Sequence, residues 1–229
     1  PITSANFIAG RTPDQPLDLP SIFGNYHPLA LEIGCGTGHF VLERARKQPE
    51  TNFLAIDIYN KGCFKTCKKI DEAGMQNVRV MRVEARWLLD KGLQPESLSA
   101  VYINCPDPWP KKRHWSRRLV NRDFLLNLAQ HLEPGGDFFF STDFDNYAES
   151  VAEQIRDLNG YRNMLQDEWT HCLADYPISL VDLRVKYREG EHHDVLALLI
   201  SEIRRRGYPL LETFVSRSPK IESLYTNPE

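Results

Sequence analysis

The sequence is short of everything that marks a secreted, membrane-spanning or metal-scaffolded protein. Its five cysteines, Cys35, Cys63, Cys67, Cys105 and Cys172, are odd in number and follow no framework spacing. A disulfide-built fold is therefore excluded, and a reducing cytoplasm is expected. Cys63 and Cys67 do not have a zinc spacing, and His192-His193-Asp194 follows a polar Arg-Glu-Gly-Glu loop, so no metal is assigned. No apolar run approaches the roughly eighteen residues of a membrane span, and the start at Pro1 is not signal-like. Internal repeats and low-complexity tracts are missing as well. A formal net charge of -3 lacks the positive excess of a nucleic-acid coat. Any anion binding has to come from charges gathered in one place.

What is present is enough apolar material for a real core, 41% of 229 residues. The stretch up to Pro28 is rich in proline and polar residues and reads as an irregular arm. After it, short apolar runs alternate with amphipathic segments. Strands are expected at 29–33, 52–57, 77–83, 99–104 and 137–142, with helices at 38–47, 60–73, 119–132 and 145–158. This alternation predicts βαβ units and a doubly wound, mostly parallel buried sheet. Glu133-Pro134-Gly135-Gly136 reads as a helix stop and turn. The run VLALLIS at 195–201 predicts a last strand, closing a domain of 29–206 ahead of a polar tail at 207–229.

The first of these strands runs into Glu32-Ile33-Gly34-Cys35-Gly36-Thr37-Gly38. Glycines there allow a tight strand-to-helix turn and let a ligand approach the backbone closely. The dinucleotide pattern G-x-G-x-x-G needs a glycine at position 39, where His39 stands, so a nicotinamide cofactor fits poorly. Asp57 ends the second strand, placed to accept the two ribose hydroxyls of an adenosine. Glu32 would repel a pyrophosphate but suits a cationic aminoacyl sulfonium, and S-adenosylmethionine satisfies both acids. Glu84, after the third strand, is either an adenine contact or a solvated loop acid, and Ala85 beside it offers a backbone amide.

The segment CPDPWPKKRHWSRR, 105–118, is a stiff loop because Pro106, Pro108 and Pro110 fix φ and remove backbone donors. It follows the fourth strand and carries Asp107 to the carboxyl edge of the sheet, where ligands of such folds bind. Lys111, Lys112, Arg113, Arg117, Arg118 and Arg122 come next, with no acid from 111 to 122. Interleaved with Trp109, His114 and Trp115, they suit phosphate contact and base stacking, hence a nucleic acid.

EIGCGTGHF, CPDPWPKKRHWSRR and STDFDNYAE (141–149) together resemble the bacterial-type tRNA (guanine-N7-)-methyltransferases, over residues 29–165. That resemblance implies the seven-stranded, Rossmann-like methyltransferase sheet, S-adenosylmethionine as donor, and a guanine of the tRNA variable loop as substrate. It implies Glu32, Asp57, Glu84 and Asp107 as cofactor-contacting and active-site acids, and Lys111, Arg113 and Arg117 as tRNA-binding residues. It also makes Asp143 a substrate-site acid, although by its position alone Asp143 reads as a cap for the following helix. The family's Thr-x-[Phe/Tyr]-Glu segment is met by Val185-Lys186-Tyr187-Arg188, which lacks both hydroxyl and carboxylate. A tRNA-binding protein without catalysis, or a methyltransferase for another RNA, are the alternatives this departure raises. The intact donor residues favour an enzyme, and monomer and homodimer both remain open.

Overall fold

A computed structural model describes residues 1–9, 16–158, 160–165 and 176. In chain order the elements are β1 (Phe7–Ile8), α1 (Leu19–Phe23), β2 (Leu29–Ile33), α2 (His39–Lys47), β3 (Asn52–Asp57), α3 (Asn60–Glu72), β4 (Val78–Arg82), α4 (Ala85–Trp87), β5 (Leu98–Asn104), α5 (Arg122–His131), β6 (Leu132–Ser141) and α6 (Asp145–Arg156). A π-turn over Leu88–Gly92 continues α4, and a 3-10 turn covers Lys112–Arg117.

The strands form one sheet in the order β1-β4-β3-β2-β5-β6, every pairing parallel. β2 and β3 are buried at every position, because helices cover both faces of the sheet. On one face Phe40, Val41 and Ala45 of α2 and Cys63, Cys67 and Ile70 of α3 pack on Phe53, Ala55 and Val80. On the other, Leu88, Phe124, Leu128, Tyr147 and Val151 pack on Leu31, Ile33, Leu54 and Ile103. The chain reverses direction across the sheet at β2, between β3 and β5. That is the switch point where α/β sheets bind ligands.

The doubly wound parallel sheet is as expected, with six strands among the described residues; the expected strand at 195–201 and the segment 185–188 lie outside them. Two expectations are corrected. The arm before Leu29 is not irregular throughout. In it, β1 adds an edge strand beside β4, Ser4 Oγ and Asn6 Nδ2 donate to Asp71, and Arg79 donates to Asn6 Oδ1 at 2.9 Å. The helix α1 is capped by Asp18, which accepts from Ser21 N at 3.2 Å, and stopped by Gly24 at φ 75. A two-residue strand is too short to show a period of two, which is why the sequence did not signal it. Finally, Glu133–Gly136 is a bulge inside β6 rather than a turn ahead of it: Leu98 pairs with Leu132 but Ala100 with Asp137.

Candidate active site

Because the sheet is parallel, all its strands deliver their carboxyl ends to one edge. Glu32 lies in β2, Asp57 ends β3, Glu84 follows β4, Asp107 follows β5 and Asp143 follows β6. The five acids predicted from the sequence therefore share a rim. Their environments differ sharply.

Gly34, Gly36 and Gly38 all hold positive φ, at 83, 53 and 77. At Gly34 nothing lies where a Cβ would point, and at Gly36 only the Gly34 carbonyl comes within reach, so the turn presents bare backbone. Asp57 organises it: Oδ2 accepts from Gly36 N at 2.9 Å and Oδ1 from Tyr59 N at 2.8 Å. Each oxygen keeps a second lone pair, so the carboxylate retains acceptor capacity for a ribose.

The helix α3 clamps the turn from below, a feature absent from the sequence reading. Thr66 Oγ1 donates to the Gly36 carbonyl at 3.3 Å, and Lys69 Nζ donates to the Thr37 carbonyl at 2.8 Å. Lys69 also meets His39 Nε2 at 2.8 Å, so that nitrogen accepts. Burial, with Lys69 adding to it, pushes His39 down to about 4, and burial lowers Lys69 to about 8. Gly62 is required for this contact, since a methyl there would stand 2.6 Å from the Gly36 carbonyl. Its spacing from the turn follows no motif, so only the packed helix reveals it.

Glu32 is buried on the face shared with Tyr102, its neighbour in register. Its Oε2 has no hydrogen-bond partner among the described residues. Burial raises its pKa to about 8, Asp57 pushes the same way, and the Asn104 side chain and the Val41 amide oppose. The opposition from Asn104 falls short of a full hydrogen bond, since its Nδ2 is also buried and partnerless among the described residues. Asn104 is oriented by its other end, where Oδ1 accepts from Tyr176 Oη at 2.7 Å and Ser141 Oγ at 3.0 Å. Burial holds the thiols of Cys35, Cys63 and Cys67 above their ordinary values, so none is poised as a nucleophile. No group of three or more potential metal ligands occurs among the described residues.

Glu84 is exposed and caps α4, Oε2 accepting from Trp87 N at 2.9 Å, while Ala85 is buried at the start of that helix. The other Glu84 oxygen, Oε1, pairs with Arg86 Nη1 at 3.6 Å. Asp143 does not cap α6: the cap position is Phe144, whose N–H donates to Thr142 Oγ1 at 3.3 Å. Asp143 and Asp107 are both exposed, with no hydrogen bond to another described residue.

The loop holding Asp107 is bracketed by Cys105 at φ 46 and Trp109 at φ 44, conformations that side chains adopt only when their surroundings impose them. Beyond it Lys111, Lys112, Arg113, Arg117 and Arg122 are exposed, and none forms an ion pair among the described residues. Arg117 stacks on Trp109 at 5.0 Å and His114 meets that ring edge-on at 5.8 Å. Arg118, read with the same basic run, is the exception. It is buried beneath the loop.

No helix among the described residues is long and apolar enough to cross a membrane. A methyltransferase family model matches residues 26–193. The tRNA (guanine-N(7)-)-methyltransferase of Syntrophotalea carbinolica is 53% identical over 178 residues, covering 78% of this chain and 77% of that one. Its counterpart in Geobacter metallireducens is 50% identical over 179 residues, covering 78% and 85%. Among solved structures, a SAM-dependent O-methyltransferase from Thermotoga maritima is a loose likeness, 15% identical with a TM-score of 0.44, covering 57% of this chain and 44% of that one. The chain belongs to the tRNA (guanine-N(7)-)-methyltransferase family.

Proposed function

We propose that this chain transfers the methyl group of S-adenosylmethionine to N7 of a guanine in the variable loop of tRNA, in the cytoplasm. The observation that carries this reading is the pairing, on one sheet edge, of a bare glycine cradle backed by a buried carboxylate with an acid-bearing loop flanked by exposed cations that form no ion pair among the described residues.

The residues fit the donor. Glu32 Oε2, buried without a partner among the described residues, is an acceptor suited to an α-ammonium. Gly34 and Gly36 leave room for close backbone approach while Gly38 lets the turn pack on Thr66, Asp57 keeps lone pairs for a ribose, and Glu84 with the Ala85 amide borders the adenine end. S-adenosylmethionine supplies the electrophilic methyl carbon when bound.

Guanine N7 carries an in-plane lone pair, so no proton has to leave before attack. The chain therefore needs no general base, and what remains for it is alignment and electrostatics. Asp107 accepts from the guanine N1–H and exocyclic amine, and these bonds strengthen as positive charge moves onto the purine. Asp143 supports it from the adjacent strand end. Lys111, Arg113 and Arg117 hold the phosphates.

Replacing Lys111, Arg113 and Arg117 together with Ala is expected to weaken tRNA binding and to reduce the slope of log K against log salt by about 2 to 3, one per lost phosphate contact. A slope equal to the parent's in a filter-binding titration would refute the grip. The reading as a whole is tested by transfer of labelled methyl from S-adenosylmethionine to unmodified tRNA, followed by mass analysis of the nucleosides. Appearance of 7-methylguanosine is expected. Binding of donor and tRNA without transfer would make this a tRNA-binding protein, and a different methylated nucleoside would redirect the substrate.

A further inference from the structure

We propose that Arg118 is a positioning residue for methyl transfer: a buried strut that sets the proline loop carrying Asp107 against the start of α6, beside Asp143. The proposal rests on the role given to Asp107 above.

Arg118 belongs to a run of cations that are otherwise exposed, yet it is only 3% exposed itself. Its Nε donates to the Pro108 carbonyl at 2.9 Å, directly after Asp107, and its Nη2 donates to Asn146 Oδ1 on α6 at 3.1 Å. The guanidinium lies between two rings, its Cζ 4.6 Å from the centroids of both Trp115 and Tyr147. Those neighbours are tied down in turn. Tyr147 Oη accepts from Val120 N at 2.9 Å, and Arg86 Nη2 donates to the Arg118 carbonyl at 3.3 Å.

The loop needs such a partner for a chemical reason. Pro106, Pro108 and Pro110 have no N–H, so the segment can be anchored mainly through its carbonyls, which require a donor from elsewhere. It is also strained at Cys105 and Trp109, and strained backbone persists only where the surroundings over-determine it. Arg118 supplies a planar fork that reaches loop and helix at once, which a lysine ammonium cannot do in the same geometry.

The arrangement is costly for stability. Arg118 pairs with no carboxylate among the described residues, and its Nη1 has no hydrogen-bond partner among them. An apolar side chain of similar volume would fill the site without burying a charge. A group kept at that cost, holding the loop that bears the acid, is doing a job of placement.

The test uses Arg118→Met, which keeps the buried volume, and Arg118→Lys, which keeps the charge, in the full chain. Amide exchange read by mass spectrometry on a peptide spanning 102–112, in which the Cys105 N–H is protected by the Ser141 carbonyl, is expected to quicken at least tenfold in both variants, with core peptides unchanged. Turnover is expected to fall about a hundredfold, the cost of a misplacement near 1 Å, while the KM for tRNA and the salt slope stay at parental values. Placed on Asp107→Ala, Arg118→Met should cost no more than about a further twofold, because coupled residues are not additive. Unchanged loop exchange, rescue of turnover by Lys, or an equal cost in both backgrounds overturns the proposal. A parent that makes no 7-methylguanosine would instead refute the proposed function, and loop exchange would still decide whether Arg118 is the strut.

Discussion

Replacing Asp107 with Ala is expected to lower turnover by about two orders of magnitude, the usual loss for one preorganised electrostatic group. Donor and tRNA affinities should stay within about twofold, because Asp107 is exposed, makes no hydrogen bond to the described cradle, and acts when charge develops on the purine. Asp107→Asn is the informative companion. It keeps the shape but presents an amide dipole where a full negative charge is wanted, so most of the loss should remain. Single-turnover rates at saturating donor and tRNA separate this from a binding defect. A parental rate in Asp107→Ala would end the assignment and move attention to Asp143.

Glu32→Gln should have two effects of opposite sign. Glu32 titrates near 8 in the folded chain against an ordinary 4.5. Between those values the folded state keeps a proton that the unfolded state has lost, so this group makes stability fall as pH rises through the window, with the full cost present above 8. Glutamine removes that cost. The variant is expected to melt higher than the parent by on the order of 5 °C at pH 8.5, with the gap closing toward pH 5.

Donor binding moves the other way. Removing the carboxylate that meets the ammonium should weaken S-adenosylmethionine by roughly a hundredfold, typical for one half of a buried charge pair. In the parent at pH 7, binding should release close to one proton as Glu32 ionises against its partner. Calorimetry in buffers of different ionisation enthalpy reads that proton directly. Binding enthalpies independent of buffer, or a variant that binds like the parent, would show that Glu32 does not receive the ammonium.

The pattern of buried strands was legible because both faces of β2 and β3 are covered, which turns LALEI and NFLAID into unbroken apolar runs with one acid each. The glycine turn, Asp57 and the proline loop were legible for a related reason: each is a backbone constraint written in residue type. Contacts between distant segments left no such mark. Gly62, Thr66 and Lys69 look like ordinary helix residues until α3 is laid under the turn. Asn104 looks like the end of a strand until Tyr176 and Ser141 take its carbonyl.

Glu84 and Asp143 show the same limit. Both lie just past strand ends, so the sequence offers an acid at the right edge in each case. Which one has its carboxylate on a helix amide, and which leaves the Phe144 N–H to Thr142, depends on backbone angles that no spacing encodes. Arg118 is the plainest example, because charge alone placed it with the exposed cations.

By itself the sequence determined the parallel α/β alternation, the cradle-forming glycines, the acids at the strand ends and the anion-seeking run after the prolines. Periodicity and turn chemistry are local, and the chain states them locally. Only the tertiary structure decided that Glu32 is sealed from water, that α3 clamps the turn, and that one arginine of the run points inward to hold the loop. Burial and partner choice are properties of what surrounds a side chain, and for these residues the surroundings come from segments far away in the sequence.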